Sequence, residues 1–162
     1  MIVVENGSGL SNAETYISVA DATAYFSNLK VTTWTGADAT KEAALRKATR
    51  FIDDRYRFLG MKGSQPQALQ WPRFNAYQDG YLVPSNIVPD RVKWATAEAA
   101  LIALTGELQP TLPATGGERA IRVDVISVEY FEGSSGLETY TKIDDLLRSL
   151  TGARGGTRLE RA

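Results

Sequence analysis

The chain has 162 residues, a formal net charge of −1, and neither cysteine nor histidine. A domain of this length buries roughly two-thirds of its unfolded surface, so it needs no disulfide or metal to fold. The missing residue types exclude a thiol nucleophile, thiolate or imidazole zinc ligation and every histidine-containing triad, which points away from an enzyme and from any cofactor. The near-neutral charge gives no whole-chain footprint of nucleic-acid binding. No run approaches the roughly 18 consecutive apolar residues of a membrane span, so no membrane partner is expected. The start, Met1 to Asn6, has neither the basic nor the apolar part of a signal peptide, so synthesis in the cytoplasm is expected.

A short apolar run, Ile2 to Val4, leads into the turn Glu5-Asn6-Gly7-Ser8-Gly9. The first helix is expected after Ser18, an N-cap with Asp21 three residues on, and Val19, Ala22, Phe26 and Leu29 recur at helical spacing. A second helix is expected from near Thr40, with the apolar stripe Leu45, Ala48, Ile52, Tyr56 and Leu59 and a stop at Gly60. Residues 60–89 read as a long irregular loop, punctuated by Pro66, Pro72, Pro84 and Pro89 and carrying Trp71, Phe74, Tyr77 and Tyr81. Pro89-Asp90 opens a third helix, apolar nearly all round (Val92, Trp94, Ala95, Ala97, Ala99, Leu101, Ile102, Ala103, Leu104) and therefore buried on more than one side. A Pro/Gly linker at 109–117 precedes a small β element at about 120–140. A last helix opens at Thr141, with Asp144 as its capping partner and Ile143, Leu146, Leu147 and Leu150 on one face. The fold class expected is mainly α: four helices as an adaptor-like bundle in one domain (1–151), followed by an Arg/Gly-rich C-terminal arm (152–162).

Residues 41–73 hold eight basic residues (Lys41, Arg46, Lys47, Arg50, Arg55, Arg57, Lys62, Arg73) against three acids, Glu42, Asp53 and Asp54. Arg46, Arg50 and Arg57 are the candidates to face DNA phosphates. Against that, Glu42–Arg46 and Asp53–Arg57 stand at i,i+4 and Arg50 can meet Asp53 or Asp54, so a self-paired, solvated face is the favoured expectation. The four loop aromatics suit a base-stacking platform, but anchoring the loop to the core is the commoner use of such residues. The carboxylate pairs Asp53-Asp54 and Asp144-Asp145 do not converge, because helical neighbours point about 100° apart. Gly7-Ser8-Gly9 lacks the strand, helix and lysine of a phosphate loop. The arm, with Arg154, Arg158 and Arg161 around Leu159, is a candidate for docking a partner.

Four segments together resemble a known family: Val-Glu-Asn-Gly-Ser-Gly-Leu-Ser-Asn-Ala-Glu-Thr-Tyr-Ile-Ser-Val-Ala-Asp-Ala (4–22), Ala-Thr-Arg-Phe-Ile-Asp-Asp-Arg-Tyr (48–56), Gln-Ala-Leu-Gln-Trp-Pro-Arg (67–73) and Val-Pro-Asp-Arg-Val-Lys-Trp-Ala-Thr-Ala-Glu-Ala-Ala-Leu (88–101). They are similar to small neck proteins of tailed bacteriophages, the head–tail connectors or adaptors, whose members are often labelled DnaT-like single-stranded-DNA-binding proteins. The resemblance implies a structural virion protein. Its subunits would form a homo-oligomeric ring of roughly twelve copies, portal protein above and tail or tail-completion protein below, with double-stranded DNA passing through the lumen without specific binding. It would be made in the host cytoplasm and reside at the virion neck. The alternative is a single-stranded-DNA-binding replication accessory protein, and balanced charge on the second helix argues for weak or no oligonucleotide binding.

Overall fold

The computed structural model describes residues 1–106, 108 and 140–152. Within them are four helices, α1 (Val19–Asn28), α2 (Asp38–Arg55), α3 (Asp90–Thr105) and α4 (Thr141–Leu147). Two small antiparallel sheets accompany them: β1 (Met61–Lys62) with β2 (Arg73–Phe74), and β3 (Tyr77–Gln78) with β4 (Tyr81–Leu82). The β element expected at about 120–140 and the linker at 109–117 lie outside the described residues. No described helix is long and apolar enough to cross a membrane.

α1 starts as its sequence requires. Ser18 Oγ accepts the Asp21 N–H at 3.0 Å and donates to the Asp21 carboxylate at 2.7 Å, so one side chain satisfies an orphan helix donor. Ala22 and Phe26 face the core, whereas Leu29 is the C-cap and is exposed. α2 ends four residues before the expected stop: Tyr56 turns extended at ψ 133°, which takes Leu59 off the apolar stripe and buries Phe58 instead. Gly60 still marks the turn, at φ 78°, where a Cβ would stand 2.3 Å from the Phe74 carbonyl oxygen.

α3 is the centre of the fold, packed against α2 and α4 and touching α1. Its core positions, Val92, Ala95, Thr96, Ala97, Glu98, Ala99 and Ala100, surround the axis, and the run of alanines lets neighbouring helices approach closely. Pro89 is the N-cap rather than a first-turn residue. Glu98, almost wholly buried, accepts Tyr25 Oη–H at 2.9 Å and meets Lys142 Nζ at 2.7 Å, which ties α1 and α4 to α3. α4 is shorter than expected and has no side-chain cap. Thr141 is its first helical residue, and Asp144 accepts the Tyr56 hydroxyl at 2.6 Å instead of closing a capping box.

The 60–89 region departs most from the irregular loop expected. Asp79-Gly80, both with positive φ (52° and 87°), make the two-residue turn that matches strand twist, and pair Tyr77 with Leu82 and Gln78 with Tyr81. Trp71 is fully buried, edge-on to Phe58 at 5.6 Å, and anchors the segment as expected. The other three aromatics do not: Phe74, Tyr77 and Tyr81 are 47%, 51% and 81% exposed. Replacing Trp71 with alanine should lower unfolding free energy by about 3–5 kcal/mol in urea titrations; an unchanged midpoint would contradict its place in the core.

Candidate nucleic-acid interface

The site is built on a largely buried polar knot at the end of α2. Asp53, expected on the solvated face beside Arg57, turns inward. It accepts the Tyr16 hydroxyl at 2.5 Å and the Gln70 N–H at 3.0 Å. Tyr16 Oη in turn accepts the N–H groups of Gln70 (3.0 Å) and Trp71 (3.2 Å). Burial pushes the Asp53 carboxyl up to about 6, although the hydrogen bonds from Tyr16 and Gln70 pull the other way. Burial also raises the Tyr16 hydroxyl well above its usual range, with the Asp53 charge adding to it.

Arg73 completes the support. Its Nε donates to Leu59 O (2.8 Å), Nη1 to Gln70 O (3.1 Å) and Gln70 Oε1 (3.0 Å), and Nη2 to Phe58 O (3.3 Å) and Gly60 O (2.8 Å). All five guanidinium donors are used on the protein's own oxygens, so Arg73 shapes the 58–60 turn and is withdrawn from any ligand. Burial lowers its pKa from the ordinary arginine value.

On this support the β1–β2 pair places Met61 opposite Phe74, both exposed, and the β3–β4 hairpin stands out with Tyr77 and Leu82 on one face and Tyr81 on the other. Leu59, Met61, Phe74, Tyr77, Tyr81, Leu82 and Ile87 account for seven of the ten large exposed apolar side chains among the described residues. All seven lie between residues 59 and 87, which makes this region the candidate binding surface. Arg91 on α3 reaches Asp79 at the hairpin tip, 3.5 Å away.

The cations of α2 divide into two groups. Arg46 is held by Glu14 (Nε–Oε1 2.8 Å, Nη2–Oε2 3.2 Å) and by the expected partner Glu42 at 3.6 Å. Glu14 is held below the usual carboxylate range, chiefly by this hydrogen bond and then by the Val3 N–H. Arg55 packs among the rings of Phe51, Tyr56 and Tyr140. Lys47, Arg50, Arg57 and Lys62, by contrast, are exposed, and none makes an ion pair among the described residues. The self-paired face thus holds for Arg46 and fails for Arg50 and Arg57: Asp53 is spent on Tyr16 and Gln70, and exposed Asp54 forms an ion pair with neither arginine among the described residues. Lys47 and Arg50 share the outer face of α2, while Arg57 and Lys62 flank the turn that carries the chain into β1. Arg154, Arg158, Leu159 and Arg161 lie outside the described residues.

Two other features hold no ligand site. The turn at 7–10 is filled by the protein itself, since Glu5 accepts the N–H groups of Gly7, Gly9 and Leu10 at 2.8–3.0 Å. No group of acidic residues among the described ones is arranged to hold a metal ion.

The whole chain, residues 1–162, matches the family described as "Putative DnaT-like ssDNA binding protein". The chain belongs to this family. Comparison with curated proteins and with solved structures gave no match. Membership overturns the head-to-tail adaptor expectation. The family is described by single-stranded DNA binding, which conflicts with a portal- and tail-docked virion ring through which double-stranded DNA passes without specific binding. The physical error behind that expectation is the charge argument. Of the three acids counted as neutralising α2, Asp53 is turned inward and Glu42 is engaged with Arg46, which leaves Asp54 alone exposed among the unpaired cations.

The raised Asp53 carboxyl makes stability depend on pH. Its folded value of about 6 stands above the unfolded value near 3.9, so the folded state keeps the proton longer. The resulting stability is present below about pH 4 and lost as pH rises through 6, a fall of about 2–3 kcal/mol by pH 7. Urea unfolding at pH 4 and 7 should show this fall in the native sequence and a flatter response in Asp53→Asn. Equal pH responses of the two proteins would remove Asp53 as its source.

Proposed function

We propose that this protein binds single-stranded DNA without catalysing a reaction, using the exposed aromatic hairpins for bases and the free cations of α2 and β1 for phosphates. The observation that carries the reading is the coincidence, at one end of α2, of Phe74, Tyr77 and Tyr81 with Arg57 and Lys62. Sequence-tolerant single-strand binding combines these two ingredients: rings on which successive bases stack and a basic track along the backbone. Because Tyr77 and Tyr81 point to opposite faces of β3–β4, the hairpin acts as a wedge that takes a base on each side. A duplex keeps its bases stacked on one another and offers no such faces, so single strands are preferred. The family description agrees with this choice of ligand.

Stacking on an aromatic side chain contributes about 1–3 kcal/mol per base. Tyr81→Ala should therefore weaken binding of a labelled oligothymidylate by about tenfold or more, with the melting temperature unchanged and Tyr81→Phe retaining most of the affinity. Arg50→Gln with Arg57→Gln should reduce the slope of log K against log salt by about 1.4. Binding by the native chain that ignores both sets of substitutions would place the DNA elsewhere, and absence of binding at low salt would end the reading.

A further inference from the structure

Between α1, the start of α3 and the N-terminal segment lies a cleft of about 450 Å³, and none of the residues assigned to DNA lines it. Its size falls in the range of ligand clefts, about 300–1,000 Å³. α1 contributes Asp21 and, one turn on, Tyr25; α3 contributes Asp90 and, one turn on, Trp94. The two rings are stacked, with centroids 6.2 Å apart and planes 15° from parallel. Tyr25 is held in place, because its hydroxyl donates to buried Glu98 at 2.9 Å. Trp94 remains 40% exposed, whereas Trp34 and Trp71 are buried.

Three carboxylates line the cleft against one ammonium group. That group, Lys93 Nζ, meets Asp90 at 2.9 Å. Asp21 accepts the Ser18 hydroxyl at 2.7 Å and makes no ion pair among the described residues. Buried Glu5 accepts backbone N–H groups and likewise has no cation beside it among those residues. Stacked rings with surplus negative charge repel a phosphate and suit a flat cation. A guanidinium lies on an indole face and donates in its own plane to carboxylates.

The N-terminal segment indicates what carries that cation. Val3 O accepts the N–H groups of Glu14 and Thr15, and Glu5 N–H donates to Thr15 O, so pairing with residues 14–15 uses one edge of this short extended stretch. The N–H and C=O of Val4, between them, point to the opposite edge and have no partner among the described residues. Val4 also lines the cleft. An extended peptide pairs its backbone with such an edge while a side chain fills the adjoining pocket. A free small cation would leave the edge unused.

We propose that this cleft docks an extended, arginine-bearing segment of a partner protein, with the guanidinium against Trp94 and the carboxylates of Asp21 and Asp90, and the backbone on Val4. The inference stands without the single-strand reading.

The test uses the full chain and a labelled, end-blocked octapeptide with one central arginine between valines, followed by fluorescence anisotropy. Its comparators are the same peptide with citrulline, which keeps the shape and loses the charge, and arginine amide alone as a competitor. The arginine peptide should bind about tenfold more tightly than the citrulline peptide, weaken with salt, and shift the emission of Trp94. Asp21→Asn with Asp90→Asn, and separately Trp94→Ala, should each lower its affinity about tenfold, with circular dichroism and oligothymidylate binding unchanged. Equal affinity for the two peptides, variants that bind as the native chain does, or no binding at low salt would each overturn the inference. Arginine amide competing as well as the peptide does would make this a small-cation site and not a docking surface. Oligothymidylate displacing the peptide, and binding less well to Trp94→Ala, would give the cleft to nucleic acid instead.

Discussion

Inside the protein, where α2 ends, one carboxyl group and one phenol hold three segments together. Tyr16 comes from the N-terminal segment, Asp53 from α2, and the N–H groups of Gln70 and Trp71 from the strand-bearing region. Buried polar groups of this kind are costly when half satisfied and strongly orienting when fully satisfied. Here Asp53 and the Tyr16 hydroxyl take up each other and both N–H groups, so the chain at Gln70 and Trp71 is fixed relative to α2, while the ring N–H of Trp71 has no partner among the described residues. Arg73 extends the same logic by one step, replacing the helix or sheet ladder that residues 58–60 lack with a single fork of donors. The exposed rings of Phe74, Tyr77 and Tyr81 are left outside because the anchoring has already been done by other groups.

The helices were legible because their signals are local. Ser18 with Asp21, the stripe Leu45–Ala48–Ile52 and the all-round apolar α3 each announce themselves within a few turns. The hairpin β3–β4 was also written locally, as Tyr-Gln-Asp-Gly-Tyr-Leu, with Asp-Gly the turn pair that two-residue hairpins prefer. The four prolines around it pointed to irregularity instead. The site was illegible for a different reason. Whether Asp53 faces Arg57 or Tyr16 is a choice between a partner four residues away and one 37 residues away, and helical periodicity cannot weigh a contact of the second kind. The same holds for Glu14, which claims Arg46 from 32 residues off.

A whole-chain charge of −1 also says little about which cations reach solvent in one place. Binding responds to the cations that reach solvent in one region, and the fold sorts them: Arg46, Arg55 and Arg73 are consumed internally, while Lys47, Arg50, Arg57 and Lys62 stay outside. Acids elsewhere on the surface, screened over about 8 Å at physiological salt, do little to cancel a local field of this size.

The β3–β4 hairpin closes through two consecutive left-handed residues, with its tip tied to α3 through Asp79 and Arg91. Its backbone is therefore already in the shape a ligand would meet, and the entropy of ordering it was spent during folding. A recognition element on a slack loop must surrender that freedom at each encounter, and part of its contact energy goes to the ordering. On the proposed single-strand reading, the intrinsic attraction of a base for a tyrosine ring would reach the binding constant nearly undiminished. Two or three modest contacts can then hold a strand that a floppier segment would need many more to retain.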